Sequence, residues 1–316
     1  MKIGRAAGLT DTGRRRLRNE DAFICEPPLF VVADGMGGAR AGEVAAGLAA
    51  TAFEEAGADV HDSGLEALIE EANRRIWERS VTDPATAGMG AVITAAFVDT
   101  GAGTVTVGHV GDSRAYRVRD GAIEQLTTDH SLVAELVESG VLTPEEAERH
   151  PQRSAITRAL GTEPAVSVDT LTVDAVPGDL FLICSDGLSS MLEDDEIAEL
   201  LSSVQAEPAE AAEGLVRAAN ARGGEDNITV VLFELVAGDV LEPAAPETAS
   251  SIEIEPDTEA EVADAPREQT PSAQPATEDT APRLHGAGPG GRVAAILLIL
   301  AILGLALALL YVGVVR

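Results

Sequence analysis

Three apolar runs, each bordered by an aspartate in a Gly- or Asn-bearing turn, set the tightest limit on how this chain can fold. They are Val31-Val32-Ala33-Asp34-Gly35-Met36-Gly37-Gly38, Leu182-Ile183-Cys184-Ser185-Asp186-Gly187 and Gly224-Glu225-Asp226-Asn227-Ile228-Thr229. Such runs read as buried strands, and the bordering carboxylate sits where the strand meets solvent. Ligands for a hard cation can converge there, so the three aspartates outline a two-metal site. Oxygen donors suit Mg²⁺ or Mn²⁺, whereas zinc would call for Cys and His, of which the chain has 2 and 5. Glycines beside Asp34 and Asp186 let the main chain approach an ion closely. Taken singly, each Asp-Gly is an ordinary turn; the weight lies in the three together and in what surrounds them.

Near the N-terminus, Asp11-Thr12-Gly13-Arg14-Arg15-Arg16-Leu17-Arg18-Asn19-Glu20-Asp21 puts arginines ahead of an Asn-Glu-Asp triplet, followed by the short apolar stretch from Ala22 to Cys25. Arginine's planar fork matches phosphate oxygens, and a nearby acidic pair can hold metal-bound waters. A basic surface loop is the plain alternative. Midway, Val105 to Val118 reads as strand, Gly111-Asp112-Ser113 turn and strand, which alone is a hairpin. His109 on that strand reads as a satisfied core or edge histidine. His130 reads as a neighbour of a helix N-cap, and a cap accounts for Asp129.

Helical spacing runs from Ala39 to Ala56 and from Ser63 to Arg79, and a second pair covers Asp194 to Ser203 and Pro208 to Ala221. Strands are expected at Phe30 to Ala33, Val92 to Asp99, Thr104 to Val110, Ala115 to Val118, Ser167 to Val173, Leu180 to Ser185 and Ile228 to Leu235. Strand runs separated by paired helices predict an α+β sandwich of antiparallel sheets with helices outside. With aromatic residues at 3%, its core must be built from Ala, Val, Leu and Ile. Cys25 and Cys184 lie on predicted buried strands and lack the Cys-x₅-Arg cradle of a cysteine phosphatase, so they read as core residues.

In order, Arg-x-x-Asn-Glu-Asp, Ala-Asp-Gly-Met-Gly-Gly, Gly-Met-Gly, Gly-Asp-Ser-Arg, Ser-Asp-Gly-Leu and Asp-Asn-Ile-Thr resemble the bacterial branch of the metal-dependent protein phosphatases, the protein phosphatase 2C family, over about the first three quarters of the chain. The family fold is similar to the one read above: two central sheets flanked by antiparallel helices, with metals at one end. By this resemblance Asp34 bridges two metals and Gly35 gives its carbonyl to the first, while Asp186 and Asp226 ligate the second. Glu20 and Asp21 act through metal-bound water, and Asp112 with Asp186 holds a third, weaker metal. Arg16, aligned through Asp11-x-Gly13, binds the substrate phosphate, with Arg18 and Arg14 as fallbacks. The implied reaction is hydrolysis of phosphoserine and phosphothreonine in proteins by a metal-bridged hydroxide, with Mn²⁺ or Mg²⁺ as cofactor. Two divalent ions about 3.5 to 4 Å apart both neutralise the ester and generate hydroxide near neutral pH.

The pattern departs at Arg15, where an apolar residue is usual, at Gly88-Met89-Gly90-Ala91-Val92, which lacks the usual threonines, and at Met36, where some animal members carry a histidine acid. The leaving-group proton is then expected from water. Residues Ser131 to Leu160 resemble the family's flap, or else form a plain connection.

After Leu235 composition changes. Gly238 to Gly291 is an acidic Pro/Ala-rich stretch unable to bury a core, expected as a linker after a catalytic domain over 1–237. A formal charge of −31 argues against nucleic-acid binding. Val293 to Val315 is almost wholly apolar, long enough to span a bilayer, and sets a membrane anchor over 292–316. No signal peptide is read at the N-terminus, so the catalytic domain is expected in the cytoplasm, with Arg283 and Arg292 on the inner side. The expected partners are phosphorylated proteins, above all Ser/Thr kinases of the same membrane and their substrates. Two rivals stand beside this reading: a phosphatase-like binding module, and a phosphohydrolase for small esters.

Overall fold

The structure, a computed structural model, describes residues 1–37, 41–57, 60–203 and 207–238. The expected linker and membrane anchor lie outside the described residues. Among those described, no helix is long and apolar enough to cross a membrane.

Ten strands form two five-stranded antiparallel sheets. The first has the order β1 (Lys2–Asp11), β10 (Ile228–Val236), β9 (Leu180–Cys184), β6 (Arg114–Arg119), β7 (Ala122–Gln125). The second runs β2 (Asp21–Glu26), β3 (Leu29–Met36), β4 (Gly90–Asp99), β5 (Thr104–Val110), β8 (Asp169–Asp174). Their facing sides close over Val32, Val105, Val107, Ile183, Val231 and a column of rings, with Phe30 and Phe181 each stacked on Phe233 at centroid distances of 4.0 and 5.1 Å. Three of the chain's 6 phenylalanines thus sit in one layer, which is how so few aromatics suffice.

Helices cover the outer faces. α1 (Ala41–Ala56) and α2 (Val60–Thr82) pack on the second sheet. Ala45, Ala46, Ala49 and Ala52 line the buried stripe of α1, and their small side chains bring the helix close to Val31 and Ala33. α2 is interrupted at Gly64, where φ is +76°, so its regular turns begin at Leu65, two residues past the expected start at Ser63. α6 (Asp194–Ser203) and α7 (Pro208–Ala221), at the bounds predicted, pack on the first sheet through Ile197, Leu201, Leu215 and Ala219. Between the sheets' ends lie short α3 (Leu132–Glu138), α4 (Pro144–Glu148) and α5 (Asp186–Ser189). Ser131 caps α3, and Thr143 with Glu146 forms a capping box on α4.

The α+β sandwich of antiparallel sheets agrees with the sequence reading. Three strands stand outside the expected seven, β1, β2 and β7, although the sequence reading puts Cys25 of β2 on a buried strand, and all three are sheet edges. β3 also continues past Ala33 to Met36, so Asp34 lies within a paired strand and not beyond it.

Candidate metal centre

Strand register carries the acids to one end of the sandwich. Asp21 opens β2 directly opposite Asp34, which in turn faces Val92 near the start of β4. Asp186 follows the end of β9 as the first residue of α5, and Asp226 precedes β10 by one residue beyond Asn227. Asp112 occupies the β5–β6 turn, which leaves the same end because Val110 pairs with Ile93.

The turns are pressed together backbone to backbone. A Cβ on Gly35 would stand 2.2 Å from the Gly42 carbonyl oxygen and 2.6 Å from that of Glu20. One on Gly187 would stand 2.0 Å from the Asn227 carbonyl oxygen, and one on Gly13 2.2 Å from that of Asp226. These positions tolerate no side chain, so main-chain oxygens and carboxylates share a small volume.

Among the described residues only Arg16 forms an ion pair with these acids, while Arg18 and Arg114 act on them from a distance. Burial, then the neighbouring Asp21 and Asp186 charges, hold Asp34 well above the usual carboxylate range. Burial raises Asp21 to about 7 against hydrogen bonds from Thr229 and Ser185 that favour its charged form. Burial and then Asp186 raise Asp112 to about 7, and burial and then Asp226 raise Asp186 to about 6, although Asp34 lies within its hydrogen-bonding reach. Glu20 is raised by burial against the pull of Arg16. Asp21 Oδ1 and Asp186 Oδ1 are buried without any hydrogen-bond partner.

Among the described residues no group of three carboxylate, His or Cys side chains is drawn together closely enough to hold a metal ion by itself. The fit to a cation rests on other grounds: all-oxygen donors, two orphaned carboxylate oxygens, and mutual repulsion that a divalent charge would relieve.

Arg16 leans over the acids, its guanidinium donating to Asp226 Oδ2 at 2.5 Å. Arg14 and Arg15 donate their backbone N–H groups to the Gly224 carbonyl, at 2.7 and 3.2 Å. Asn227 is a residue that sequence reading passed over. Its Nδ2 donates to the Thr12 and Arg18 carbonyls, each at 2.9 Å, and its Oδ1 accepts from the Glu20 N–H at 2.9 Å. One side chain therefore pins both ends of the arginine loop and the Glu20 backbone. Only its place beside Asp226 hinted at this. Asn19, Thr10 and Thr229 make a donor relay that ends on Asp21 Oδ2.

The histidines and cysteines stand aside. His109 is buried, bonded to Thr94 Oγ1 and the Thr128 carbonyl, and pushed down to about 4 by burial and then His130. Burial pushes the Cys25 and Cys184 thiols up to about 12, unfit as nucleophiles. Asp129 is no helix cap: Arg114 grips it bidentately at 2.9 and 2.7 Å, and the cap is Ser131. The segment from Ser131 to Leu160 is tied at its ends by Ser131–Ile156 and Ala91–Leu160 bridges, and the preceding His130 clamps Gly111 beside Asp112, its N–H donating to the Gly111 carbonyl at 2.7 Å and its ring Nδ1 accepting from the Gly111 N–H at 2.9 Å.

A family model described as Protein phosphatase 2C matches residues 13–220. Serine/threonine phosphatase stp of Listeria monocytogenes serotype 4b is 40% identical over 238 residues, 71% of this chain and 93% of that protein. Serine/threonine protein phosphatase PstP of Mycobacterium tuberculosis is 42% identical over 242 residues, 73% of this chain and 45% of the longer relative. The crystal structure of the M. tuberculosis phosphatase PstP/Ppp matches with a TM-score of 0.69 at 39% identity, over 75% of this chain and all of that one. A PstP catalytic domain in complex with 2 manganese ions matches with a TM-score of 0.66 at 37% identity, over 74% of this chain and 99% of that chain.

Proposed function

Since the chain belongs to the protein phosphatase 2C family, we propose that it hydrolyses phosphoserine and phosphothreonine in proteins at the acid cluster, with Mn²⁺ or Mg²⁺ as cofactor. The observation that carries the site assignment is the buried set Asp21, Asp34, Asp112 and Asp186, raised together and carrying two unpartnered oxygens.

In this reading Asp34, the Gly35 carbonyl, Asp186 and Asp226 would hold two divalent cations, Glu20 and Asp21 would support them through water, and Asp112 with Asp186 would serve a third. Divalent cations bound there supply charge neutralisation for the phosphoester and an acidified water as nucleophile. The remaining work falls to the chain. Arg16 uses one nitrogen on Asp226, which leaves the rest of its fork, half exposed, to hold two oxygens of the transferred phosphoryl group. Asn227 keeps Arg16 in register with Asp226 by fixing the loop at Thr12 and Arg18. The Thr229 hydroxyl holds Asp21 by Oδ2 and leaves Oδ1 buried and free to serve as a donor atom. With His109 committed to Thr94 and Thr128, and Met36 at the β3 end, the leaving oxygen takes its proton from water.

The test is phosphate release from a phosphothreonine peptide by Met1 to Ala237, with Mn²⁺ or chelator. Release is expected with Mn²⁺ alone; a folded, metal-bound fragment that releases nothing would leave a binding module as the better reading.

The tail completes the proposal. The acidic stretch over 238–291 acts as a linker and Val293 to Val315 as a bilayer anchor that keeps the domain on the cytoplasmic side, near kinases of the same membrane. Confinement raises the local concentration of such substrates. Deleting Val293 to Arg316 is expected to leave peptide turnover intact and slow dephosphorylation of a membrane kinase; equal rates on the kinase overturn the anchoring role.

A further inference from the structure

Arg14 to Arg18 holds four arginines in five positions, in a chain of formal charge −31. All five residues are exposed, and Leu17 between Arg16 and Arg18 is 99% exposed, more than any other large hydrophobic residue described. Among the described residues most arginines elsewhere on the domain are matched to acids, as Arg74 is to Glu71 and Glu78, Arg114 to Asp129 and Arg119 to Asp179, while Arg149, Arg153 and Arg217 are not. Arg14 and Arg15 are likewise unmatched: among the described residues their side chains make no hydrogen bond or ion pair.

The loop is also built to stay where it is. Gly224 holds Arg14 and Arg15 by their backbone N–H groups, Asn227 holds Arg18 by its carbonyl, and the Gly13 position leaves no room for a Cβ against Asp226. A fixed backbone presenting free cations and a bare apolar side chain beside Arg16 lowers the ordering cost of binding a partner.

We propose that this loop reads the sequence around the phosphorylated residue, selecting phosphopeptides with an anionic side chain close to the phosphosite and an apolar one against Leu17. The inference rests on the phosphatase reading, which seats the phosphate on Arg16. Peptide residues in extended form advance about 3.3 Å each, so side chains one to three positions from the phosphorylated residue are the ones a loop adjoining Arg16 would meet. The anion can be a carboxylate or a second phosphate, since guanidinium forks suit both.

The experiment takes the full chain with Mn²⁺ and compares kcat/KM on phosphothreonine peptides flanked by Glu, by a second phosphothreonine, by Gln or by Lys, with para-nitrophenyl phosphate as a substrate lacking flanks. Exposed ion pairs give about two- to fivefold each, so Glu over Lys is expected at roughly tenfold, mostly in KM and shrinking as salt rises. A greater preference for the doubly phosphorylated peptide than for Glu names phosphate as the source. Arg15→Glu is expected to reverse the Glu-over-Lys order while turnover of para-nitrophenyl phosphate holds. Leu17→Ser should lower kcat/KM about threefold on peptides with an apolar neighbour only. Binding of the same peptides to the Asp34→Asn chain, followed by fluorescence anisotropy, should keep the order. That order without any hydrolysis by the unsubstituted chain would sustain the loop and overturn the phosphatase reading; hydrolysis with no flank preference, or an Arg15→Glu loss equal on all peptides, overturns the loop.

Discussion

Two sets of aspartates sit at strand ends and turns of this domain, and they are handled in opposite ways. Asp129, Asp169 and Asp179 are closed: Arg114 grips the first, Arg158 and His130 the second, Arg119 the third. Burial would raise Asp179 and Asp169, but hydrogen bonds from Arg119 to one, and from His130 and Arg158 to the other, outweigh it and hold both below the usual carboxylate range. Asp21, Asp34, Asp112 and Asp186 are open: none has an ion-pair partner among the described residues, Arg16 and Arg114 act only from a distance, and burial with mutual repulsion raises all four. Residue type and position in the fold are alike. What separates the two sets is whether the chain itself supplies the counter-charge.

The sharpest break of that contrast is Asp34→Asn or Asp186→Asn. Each is expected to lower phosphate release on the order of a thousandfold, while the metal-free domain at pH 8 melts higher than the unsubstituted one because a repelled charge is gone. Phosphate release and thermal melting in chelator are the two readings, and a lower melting point would return these residues to the closed set.

Next in size is Asp179→Ala. The Asp179 side chain is wholly buried and joins Arg119 to the Val176 N–H, so truncation removes two charge-assisted bonds and leaves that N–H unpaired while Arg119 turns to water, at an expected cost of about 2 to 3 kcal/mol in urea unfolding. Metal affinity, followed by isothermal titration, should not move.

The open set also predicts a pH trend whose sign is the reverse of ordinary acid denaturation. A carboxylate raised in the folded state stabilises fully below its unfolded value, about 3.9, and that stability is lost as pH rises through the folded value. For Asp21 and Asp112 the folded value is about 7, and for Asp186 about 6. His109 and His130 are held below their ordinary range by burial, so their unfolded forms shed protons at the start of this window and add a smaller rise of opposite sign, which the loss from the acids outweighs. In chelator the domain should therefore lose on the order of 2 kcal/mol between pH 6.5 and 8.5. Saturating Mn²⁺ replaces the protons and should flatten or invert the trend. Stability that rises over this window in chelator would contradict the open cluster.

How much of this could be read in the chain depends on where each signal is stored. Asp34, Asp186 and Asp226 were visible because each borders an apolar run, a local pattern. The four long helices were visible through their periodicity, and α6 and α7 fell at the predicted bounds. β1 and β7 were not: as edges they are mostly half exposed, and β1 carries Gly4, Arg5 and Gly8 where alternation would be sought. Gly8 is glycine because a Cβ there would lie 2.3 Å from the Phe23 ring, a demand of sheet packing with no local trace. Asn227 was missed for the same kind of reason, since its partners Thr12, Arg18 and Glu20 are more than two hundred residues away in sequence. The partner of Asp129 was likewise unreadable, and a helix cap was the local explanation at hand.

The smallest predicted effect tests the boundary between the two sets. Asp169 is the most exposed of the closed acids, 54% against 17% for Asp129 and none for Asp179. Water competes for it, so Asp169→Asn should cost only about 0.5 to 1 kcal/mol, and less as salt screens the pair. Its effect should be local nonetheless. Asp169 accepts from Arg158 and from His130, and His130 takes the Gly111 N–H on its other nitrogen, so the change loosens the junction of the Ser131 to Leu160 segment with the turn that carries Asp112. Amide hydrogen exchange should rise at Gly111 and Leu132 with little change at the β9–β10 pairs. Faster exchange across the whole domain would mean that Asp169 braces the global fold and that exposure is a poor guide to membership of the closed set.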